Sequence, residues 1–246
     1  YGWDFYDGDN DPMDDYGHGT HCAGSVAGDG TAGTETGVAP QATIMALRIN
    51  YYSGGEPTWI QAYQFAIDNG AHIITTSLGV FNASNHVSMR QAEENILSAG
   101  LQHSIAAGNS GPGASTVLGP GYCPPPWVHP EQSNTGDLSA CVTVGATDNG
   151  DTIASFSSRG PAGPACGPLE NRTKPEIAAP GSNVYSCEPG GQYGYKSGTS
   201  MAGPHVAGVA ALMRAADPDL SVIEIKQILL DSADDLGPVG EDNTYV

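Results

Sequence analysis

The chain has 246 residues and a formal net charge of -19, from 27 acidic against 8 basic residues. This length suits one domain with a substantial core, and we expect residues 1–246 to form a single domain. The negative charge argues against nucleic acid and anionic membranes as partners and favours cations. No apolar run is long enough to span a bilayer. The composition therefore predicts neither a nucleic-acid-binding protein nor a membrane protein.

Short apolar runs typical of strands alternate with helical patterns, which predicts an α/β fold with a parallel sheet between two layers of helices. Apolar residues at helical spacing predict helices over 58–69 and 88–99, and a glycine follows each where helices commonly end. Strands are predicted over 71–76 and 103–107. The residues after these strands should lie at the carboxyl edge of the sheet, where open parallel sheets place ligand sites.

The second half of the sequence has fewer patterns that indicate helices or strands. Strands are expected over 141–146 and 153–157, after an irregular stretch rich in glycine and proline over 111–130. A last helix is expected over 222–233. Its predicted capping box and buried apolar face consist of Ser221, Glu224, Ile225, Ile228 and Leu229.

Ser200 stands among small residues in the segment 198–208, at a predicted helix N-terminus. A hydroxyl there is uncrowded, and the unpaired N–H groups and positive dipole end of the helix stabilise negative charge developing beside it. A serine alone is a weak nucleophile and needs a base. His18, on a glycine-flanked turn into another small-residue helix, offers an imidazole for that task, and His21 and His205 are alternatives.

Four segments together resemble the subtilisin-like serine proteases, the subtilases. They read Gly-His-Gly-Thr-His-Cys at 17–22, Thr-Ser-Leu-Gly at 76–79, Ala-Ala-Gly-Asn-Ser-Gly at 106–111 and Gly-Thr-Ser-Met-Ala at 198–202, in the order of that family. The cysteine that follows His-Gly-Thr-His is similar to the thermitase and proteinase K branches. The resemblance implies a three-layer αβα fold with a mainly parallel, doubly wound sheet.

The resemblance also implies chemical roles for three residues. Ser200 would be the nucleophile of an acyl-enzyme mechanism, His18 the general base and then acid, and Asn109 a donor to the oxyanion beside the backbone N–H of Ser200. Taken alone, such a serine is equally a helix cap and such an asparagine a common turn residue. The implied protein is a secreted, monomeric endopeptidase acting on polypeptides, with a propeptide or an inhibitor as further partners.

Two segments would bind the substrate if the resemblance holds. One would pair with an extended peptide, with a glycine leaving room for the peptide backbone. The other would form one wall of the pocket for the side chain before the scissile bond, and its small residues suit a large apolar side chain. The strand residues are Ser77, Leu78 and Gly79, and the wall residues are Ala106, Ala107 and Gly108.

The family's triad includes an aspartate in an Asp-Ser/Thr-Gly turn upstream of the histidine motif, and no such turn occurs in this sequence. We therefore expect the chain to be a fragment incomplete at both termini, without the N-terminal strand that carries this aspartate. Because the serine, histidine and asparagine positions are intact, an enzyme is the preferred interpretation. A non-catalytic subtilase-fold domain that binds peptides or calcium is the alternative, and a thiol nucleophile at Cys22 is a third hypothesis.

Six aspartates crowd the stretch before His18, and carboxylates this close repel one another unless they are solvated or neutralised. Oxygen ligands in a flexible loop suit Ca²⁺. The thermitase branch carries a calcium site in this region, although Met13 stands where that site uses a glutamine. The resemblance thus predicts a Ca²⁺ ion, and a solvated acidic loop is the alternative. The predicted ligands are Asp4, Asp7, Asp9 and Asp11.

Five cysteines leave at least one thiol unpaired. Cys22 is the candidate, because a disulfide partner would crowd the histidine motif. The shortest loops are closed by pairing Cys123 with Cys141 and Cys166 with Cys187, and buried reduced thiols are the alternative.

Overall fold

The structure is a computed structural model that describes residues 1–33, 35–49, 55–79, 86–121, 139–162 and 173–237. Its helices are α1 (His18–Ala27), α2 (Gly55–Asp68), α3 (His86–Ser98), α4 (Thr199–Ala216) and α5 (Val222–Asp231). Its strands are β1 (Gly2–Asp4), β2 (Ala46–Arg48), β3 (Ile73–Thr76), β4 (Gln102–Ala106), β5 (Cys141–Thr147), β6 (Ile177–Pro180), β7 (Val184–Glu188) and β8 (Gln192–Lys196).

The central sheet is parallel and runs in the order β3, β4, β5, β6. Every residue of β4 and β5 is buried, as expected for parallel strands covered on both faces. Strands β1 and β2 form a separate parallel pair, and β7 and β8 form an antiparallel hairpin. The parallel pairing brings the carboxyl ends of β3 and β4 to one edge, because Thr76 lies opposite Ile105.

Two apolar clusters cover the two faces of the sheet. Helices α2 and α3 contribute Trp59, Tyr63 and Ile96 to one cluster, which packs against Ile74 of β3. Helices α4 and α5 contribute Val206 and other residues to the second cluster, which packs on β5 and β6. The fold is therefore a three-layer α/β arrangement around a mainly parallel sheet, as the sequence predicts.

Several predicted elements are confirmed with shifted ends. Both early helices occur, and the glycines that follow them, Gly70 and Gly100, have φ angles of 73° and 77°, the left-handed conformation of a helix stop. The capping box at Ser221 is present, with Glu224 bonded back to it. The prediction that Ile228 is buried is wrong, because its side chain is 43% exposed, whereas Ile225 and Leu229 are buried.

The strand predicted over 153–157 is wrong. Its backbone makes only one isolated bridge to the sheet, between Ile153 and Thr147, and continues as turns. Strands β6, β7 and β8 lie in a region where the sequence pattern predicts no strand. In the part of the chain that the structure describes, no helix combines the length and the apolar character that crossing a bilayer requires.

Candidate active site

Helix α4 presents Ser200 as its second residue, directly after the turn at Gly198. This confirms the predicted helix N-terminus. The absence of a side chain at Gly198 leaves room for the Asn109 amide. A Cβ at this position would lie only 3.2 Å from Nδ2 of Asn109. The first turn of α4 therefore stands close to the carboxyl end of β4, where Asn109 follows the strand.

Pro204 lies inside α4 and frees the backbone carbonyl of Ser200. In an α-helix, the N–H of residue 204 would bond to the carbonyl of residue 200, and proline has no N–H. The Ser200 carbonyl accepts instead from the Ser77 hydroxyl at 2.8 Å and from the Cys22 thiol at 3.3 Å. One carbonyl thus connects α4 to α1 and to the end of β3.

The Ser200 hydroxyl donates to the carbonyl of Ser77 at 3.0 Å. Together with the bond from the Ser77 hydroxyl, this makes the two serines reciprocal partners. His18 begins α1 one helical turn before Cys22, so both side chains lie on the face of α1 that meets α4. No hydrogen bond joins the His18 ring to the Ser200 hydroxyl among the contacts of the described residues.

The two other histidines of the motifs are held by backbone groups. His21 is fully buried, and its Nε2 lies 3.1 Å from the carbonyl of Val184 and 3.2 Å from that of Gly194. His205 bonds through Nδ1 to the carbonyl of Met201 at 2.8 Å. These contacts link α1 to the β7–β8 hairpin and tie His205 to its own helix. Among the contacts of the described residues, the His18 ring makes no such bond.

The pKa of His18 is lowered by its surroundings. Burial is the largest cause, and the nearby ammonium of Lys196 lowers it further. The Asp14 carboxylate acts in the opposite direction. A lowered pKa keeps the imidazole neutral, and therefore basic, at neutral pH.

Asp14 fixes the turn that delivers His18. One of its oxygens accepts the N–H groups of Tyr16 and Gly17, and the other accepts the N–H and hydroxyl of Thr20. Burial opposes ionisation of this group, but the four hydrogen bonds lower the pKa of Asp14 to about 2. Gly17, with a φ of 90°, supplies the left-handed residue before α1.

Asn109 is oriented by Thr199. Its Oδ1 accepts the Thr199 N–H at 2.9 Å and the Thr199 hydroxyl at 3.1 Å. The same hydroxyl accepts the N–H of Gly108 at 3.0 Å. Nδ2 is therefore directed away from these partners and is the end of the amide that can donate to an oxyanion.

Leu118 lies between the two predicted substrate segments, although the sequence analysis gives it no role. A Cβ on Gly79 would meet Leu118 side-chain atoms at 2.7 and 2.9 Å, and one on Gly108 would meet them at 2.6 and 2.9 Å. Leu118 also donates its N–H to the carbonyl of Ala107. Ala106 and Ala107 are buried, and Ser77 and Leu78 are partly buried. Leu118 thus fills the space between the predicted strand and the predicted wall.

The predicted calcium ligands do not fit a metal site in this structure. In the described ranges, no group of three or more histidine, cysteine, aspartate or glutamate side chains is arranged to hold an ion. Arg48 occupies the position instead, with its guanidinium 2.6 Å from Asp4, 2.9 Å from Asp7 and 3.0 Å from Asp15. The remaining two predicted ligands, Asp9 and Asp11, bond to each other through a backbone N–H.

The buried end of this acidic loop is Asp4. Burial opposes ionisation of Asp4, but Arg48 and the N–H groups of Tyr6 and Asp7 hold its pKa below the ordinary value. The Arg48 guanidinium also lies 5.1 Å from the centre of the Tyr6 ring. Arg48 therefore supplies a positive charge to Asp4 and Asp7, two of the four carboxylates that the sequence interpretation gave to calcium.

The cysteines do not form the predicted disulfides at the two positions that can be examined. Cys141 and Cys187 are free thiols, and their predicted partners, Cys123 and Cys166, lie outside the described residues. Burial raises the pKa of Cys141 to about 12 and that of Cys22 to about 11. Cys22 is thus a protonated donor to the Ser200 carbonyl, which argues against a thiolate nucleophile.

Comparison with known proteins gives the same family throughout. The family model described as Peptidase_S8, the subtilase family, matches residues 1–246. Serine protease AprX of Bacillus subtilis is 35% identical over 91% of this chain and 54% of its own length. Thermitase of Thermoactinomyces vulgaris is 35% identical over 97% of this chain and 75% of its own length.

Solved structures agree with these sequence matches. The crystal structure of a cold adapted subtilisin-like serine proteinase covers all of this chain, with a TM-score of 0.77 and 29% identity. A structure titled S41 Psychrophilic Protease covers 94% of this chain, with a TM-score of 0.75 and 34% identity. The chain spans about half the length of AprX and three quarters of thermitase. The chain therefore belongs to the subtilase family.

Proposed function

We propose that this chain forms the catalytic core of a serine endopeptidase that cleaves polypeptides through an acyl-enzyme on Ser200. The observation that carries the proposal is that the segments bearing Ser200, His18 and Asn109 are in contact with one another. Ser200 is the second residue of α4, His18 begins α1, whose Cys22 bonds to the Ser200 carbonyl, and the Asn109 amide is fixed by Thr199.

The chemistry follows from these positions. The Ser200 hydroxyl turns from the Ser77 carbonyl toward His18, gives its proton to the imidazole and attacks the substrate carbonyl. The oxyanion that forms accepts from Nδ2 of Asn109 and from the backbone N–H of Ser200. His18 then protonates the departing amine as the carbon–nitrogen bond breaks. Water, deprotonated by the same imidazole, releases the acyl group and restores the serine.

The partner that orients the His18 ring remains a prediction from the family resemblance. In the described part of the chain, no carboxylate bonds to that ring, and Asp14 acts on it only through its charge and through the turn. An aspartate upstream of the histidine motif would fix the tautomer and stabilise the imidazolium that forms.

The substrate preference we propose is for a small side chain before the scissile bond. This departs from the expectation of a large apolar side chain, which rested on the small residues of the wall at 106–108. Leu118 supports the change, because its side chain lies against both Gly79 and Gly108 and takes up the room between the two segments. A bulky substrate side chain would have to displace it.

Secretion and a monomeric state complete the proposal, as the family resemblance implies. Calcium binding is common in the family, but we do not assign an ion to the loop that Arg48 neutralises. A calcium titration of the folded protein, with and without Asp9→Ala, tests the loop directly. An affinity that depends on Asp9 would restore the calcium interpretation.

The proposed function is tested by labelling the full-length protein with a serine-directed phosphonate and locating the label by mass spectrometry. We expect modification of Ser200, and we expect Ser200→Ala to abolish peptide hydrolysis. Label on Cys22, or hydrolysis that survives Ser200→Ala, would contradict the assignment. A folded protein that binds peptides without labelling or hydrolysis would instead be a non-catalytic domain.

A further inference from the structure

Strand β4 carries three consecutive polar residues in the interior of the molecule. Gln102, His103 and Ser104 are at most 1% exposed. Central strands of parallel sheets are usually apolar, and a polar side chain buried there costs free energy unless it is hydrogen-bonded. The Ser104 hydroxyl donates to the carbonyl of Gly203 in α4. His103 is the titratable member of the three and has no role in the proposed chemistry.

His103 joins three other elements through its ring. Its Nδ1 lies 2.8 Å from Oε1 of Glu93 on α3, and its Nε2 lies 2.8 Å from the hydroxyl of Thr76 at the end of β3. The Tyr63 ring of α2 makes a T-shaped contact with the imidazole, with centres 5.0 Å apart, and its hydroxyl lies 3.3 Å from that of Thr76. Both Glu93 and His103 are completely buried.

One set of proton directions fits these partners when Glu93 is ionised and the His103 imidazole is neutral. In that state Nδ1 of His103 carries the proton that bonds to Glu93, because a carboxylate only accepts. Nε2 then accepts from the Thr76 hydroxyl, which in turn accepts from the Tyr63 hydroxyl. In this assignment the three hydrogen bonds all point from Tyr63 toward Glu93.

The order of hydroxyl, imidazole and carboxylate matches that of a catalytic triad, but the location does not suit catalysis. Thr76 is buried inside the sheet, out of reach of a substrate. The network bonds instead to the hydroxyl of the last residue of β3. The next residue is Ser77, which exchanges hydrogen bonds with Ser200 at 2.8 and 3.0 Å.

We propose that Glu93 and His103 are positioning residues that act through Thr76 to hold Ser77 against the nucleophile. The inference rests on the proposed function, since it concerns the geometry of that site. The imidazole is a rigid spacer between α3 and β3, and the carboxylate fixes its rotation. The backbone at Thr76 therefore has one position relative to the sheet, and the Ser77 carbonyl one position relative to Ser200.

A purely stabilising role would not require polar groups here. Apolar residues of similar volume at buried polar positions are often neutral or stabilising, because they avoid the cost of desolvation. The two roles consequently predict different outcomes when both polar partners are replaced together. Stability should be retained under either role, whereas the placement of Ser77 should change only if the network positions it.

The test uses the full-length protein with Thr76→Val, which removes the hydroxyl at nearly constant volume, and Thr76→Ser, which keeps it. The double variant Glu93→Leu/His103→Leu removes the buried pair without leaving one partner alone. Thr143→Val is the matched control, because Thr143 is another buried strand threonine, in β5, whose hydroxyl bonds to Lys174 and Gly121. For each protein we would measure kcat, KM, the phosphonate labelling rate, and hydrogen exchange at the Ser77 and Leu78 amides.

We expect Thr76→Val and the double variant to lower kcat and the labelling rate about tenfold with little change in KM, as misplacement near reacting groups does. Exchange at Ser77 and Leu78 should accelerate in both. Thr76→Ser should restore wild-type values, and Thr143→Val should leave these readouts unchanged. Wild-type exchange at Ser77 and Leu78 in both variants would overturn the proposal whether or not the protein is a peptidase. Absence of Ser200-dependent hydrolysis in the wild type, with exchange altered as expected, would instead contradict only the proposed function.

Discussion

The Oδ1 atom of Asn109 accepts the backbone N–H of Thr199 at 2.9 Å. A backbone N–H can only donate, so this contact decides which end of the Asn109 amide faces Thr199 and which end faces the site. The nucleophile's own helix thus orients the group proposed to stabilise the oxyanion. Thr199 therefore positions both residues. It precedes Ser200 in the chain, and it holds Asn109 by a hydrogen bond.

Thr199→Val should lower kcat by about tenfold while KM changes little, because the variant loses two buried hydrogen bonds that hold the Asn109 segment. The backbone N–H bond to Oδ1 remains, so the effect should be smaller than that of Asn109→Ala. Loss of an oxyanion donor lowers kcat by roughly 10²–10³-fold in subtilisin. Thr199→Ser retains the hydroxyl and serves as the control. Equal activity of the valine and wild-type proteins would show that the hydroxyl has no orienting role.

Lys196→Gln should shift the acidic limb of the kcat/KM profile to higher pH. Lys196 lowers the pKa of His18, so its removal raises that pKa, and the imidazole then becomes protonated and inactive at a higher pH. Asp14→Asn should shift the limb to lower pH, because Asp14 raises the same pKa. Arg214→Gln removes an equal charge at the far end of α4 and should leave the profile in place. Shifts of the same sign in both site variants would contradict this account.

Arg48→Gln should lower the free energy of unfolding by about 1–3 kcal/mol, since Asp4 would keep its buried charge without its cationic partner. Arg48→Lys should be intermediate, because an ammonium keeps the charge but cannot bond to three carboxylates with the geometry of a guanidinium. Unfolding in urea measures the free energy of unfolding of both variants.

A chelator should not destabilise the wild-type protein through this loop. Destabilisation by the chelator that Asp9→Ala removes would show a metal rather than Arg48 as the stabilising cation.

Leu118→Gly should extend cleavage to substrates with a large side chain before the scissile bond. The space that Leu118 fills against Gly79 and Gly108 would become available, and each buried methylene of the substrate contributes about 0.8 kcal/mol. The ratio of kcat/KM for a leucine substrate over an alanine substrate is the measurement. Leu212→Gly, at a 48% exposed position on α4, controls for a general effect of the substitution. An unchanged ratio for Leu118→Gly would remove Leu118 from the pocket.

The sequence predicts the elements that local patterns determine. The helices over 58–69 and 88–99 have both helical spacing and a terminal glycine, and the structure contains both. The strand expected over 153–157 fails because its apolar residues belong to a buried loop. Ala154 and Ser157 are buried, yet Ser157 bonds to the sheet through its side chain rather than through a strand ladder.

Contacts between distant residues account for what the sequence does not predict at the site. Asp4 lies directly opposite Arg48 in the parallel pairing of β1 and β2, and no local pattern relates two residues 44 positions apart. Leu118 stands in an irregular stretch without periodicity, and only its contacts with Gly79 and Gly108 relate it to the substrate segments. Composition identified a surplus of carboxylates before His18, but the cation that meets them is visible only in three dimensions.

Pro204 gives α4 a property that an uninterrupted helix would lack. By giving up one helical hydrogen bond, the chain gains an acceptor at Ser200 that is used by Ser77 and Cys22. Restoring an N–H at this position would strengthen the helix by itself and compete for the same carbonyl. The segment that carries the nucleophile is thus less stable as an isolated helix and more firmly coupled to its neighbours. Local fraying of α4 and dismantling of the site should accordingly be one cooperative event rather than two.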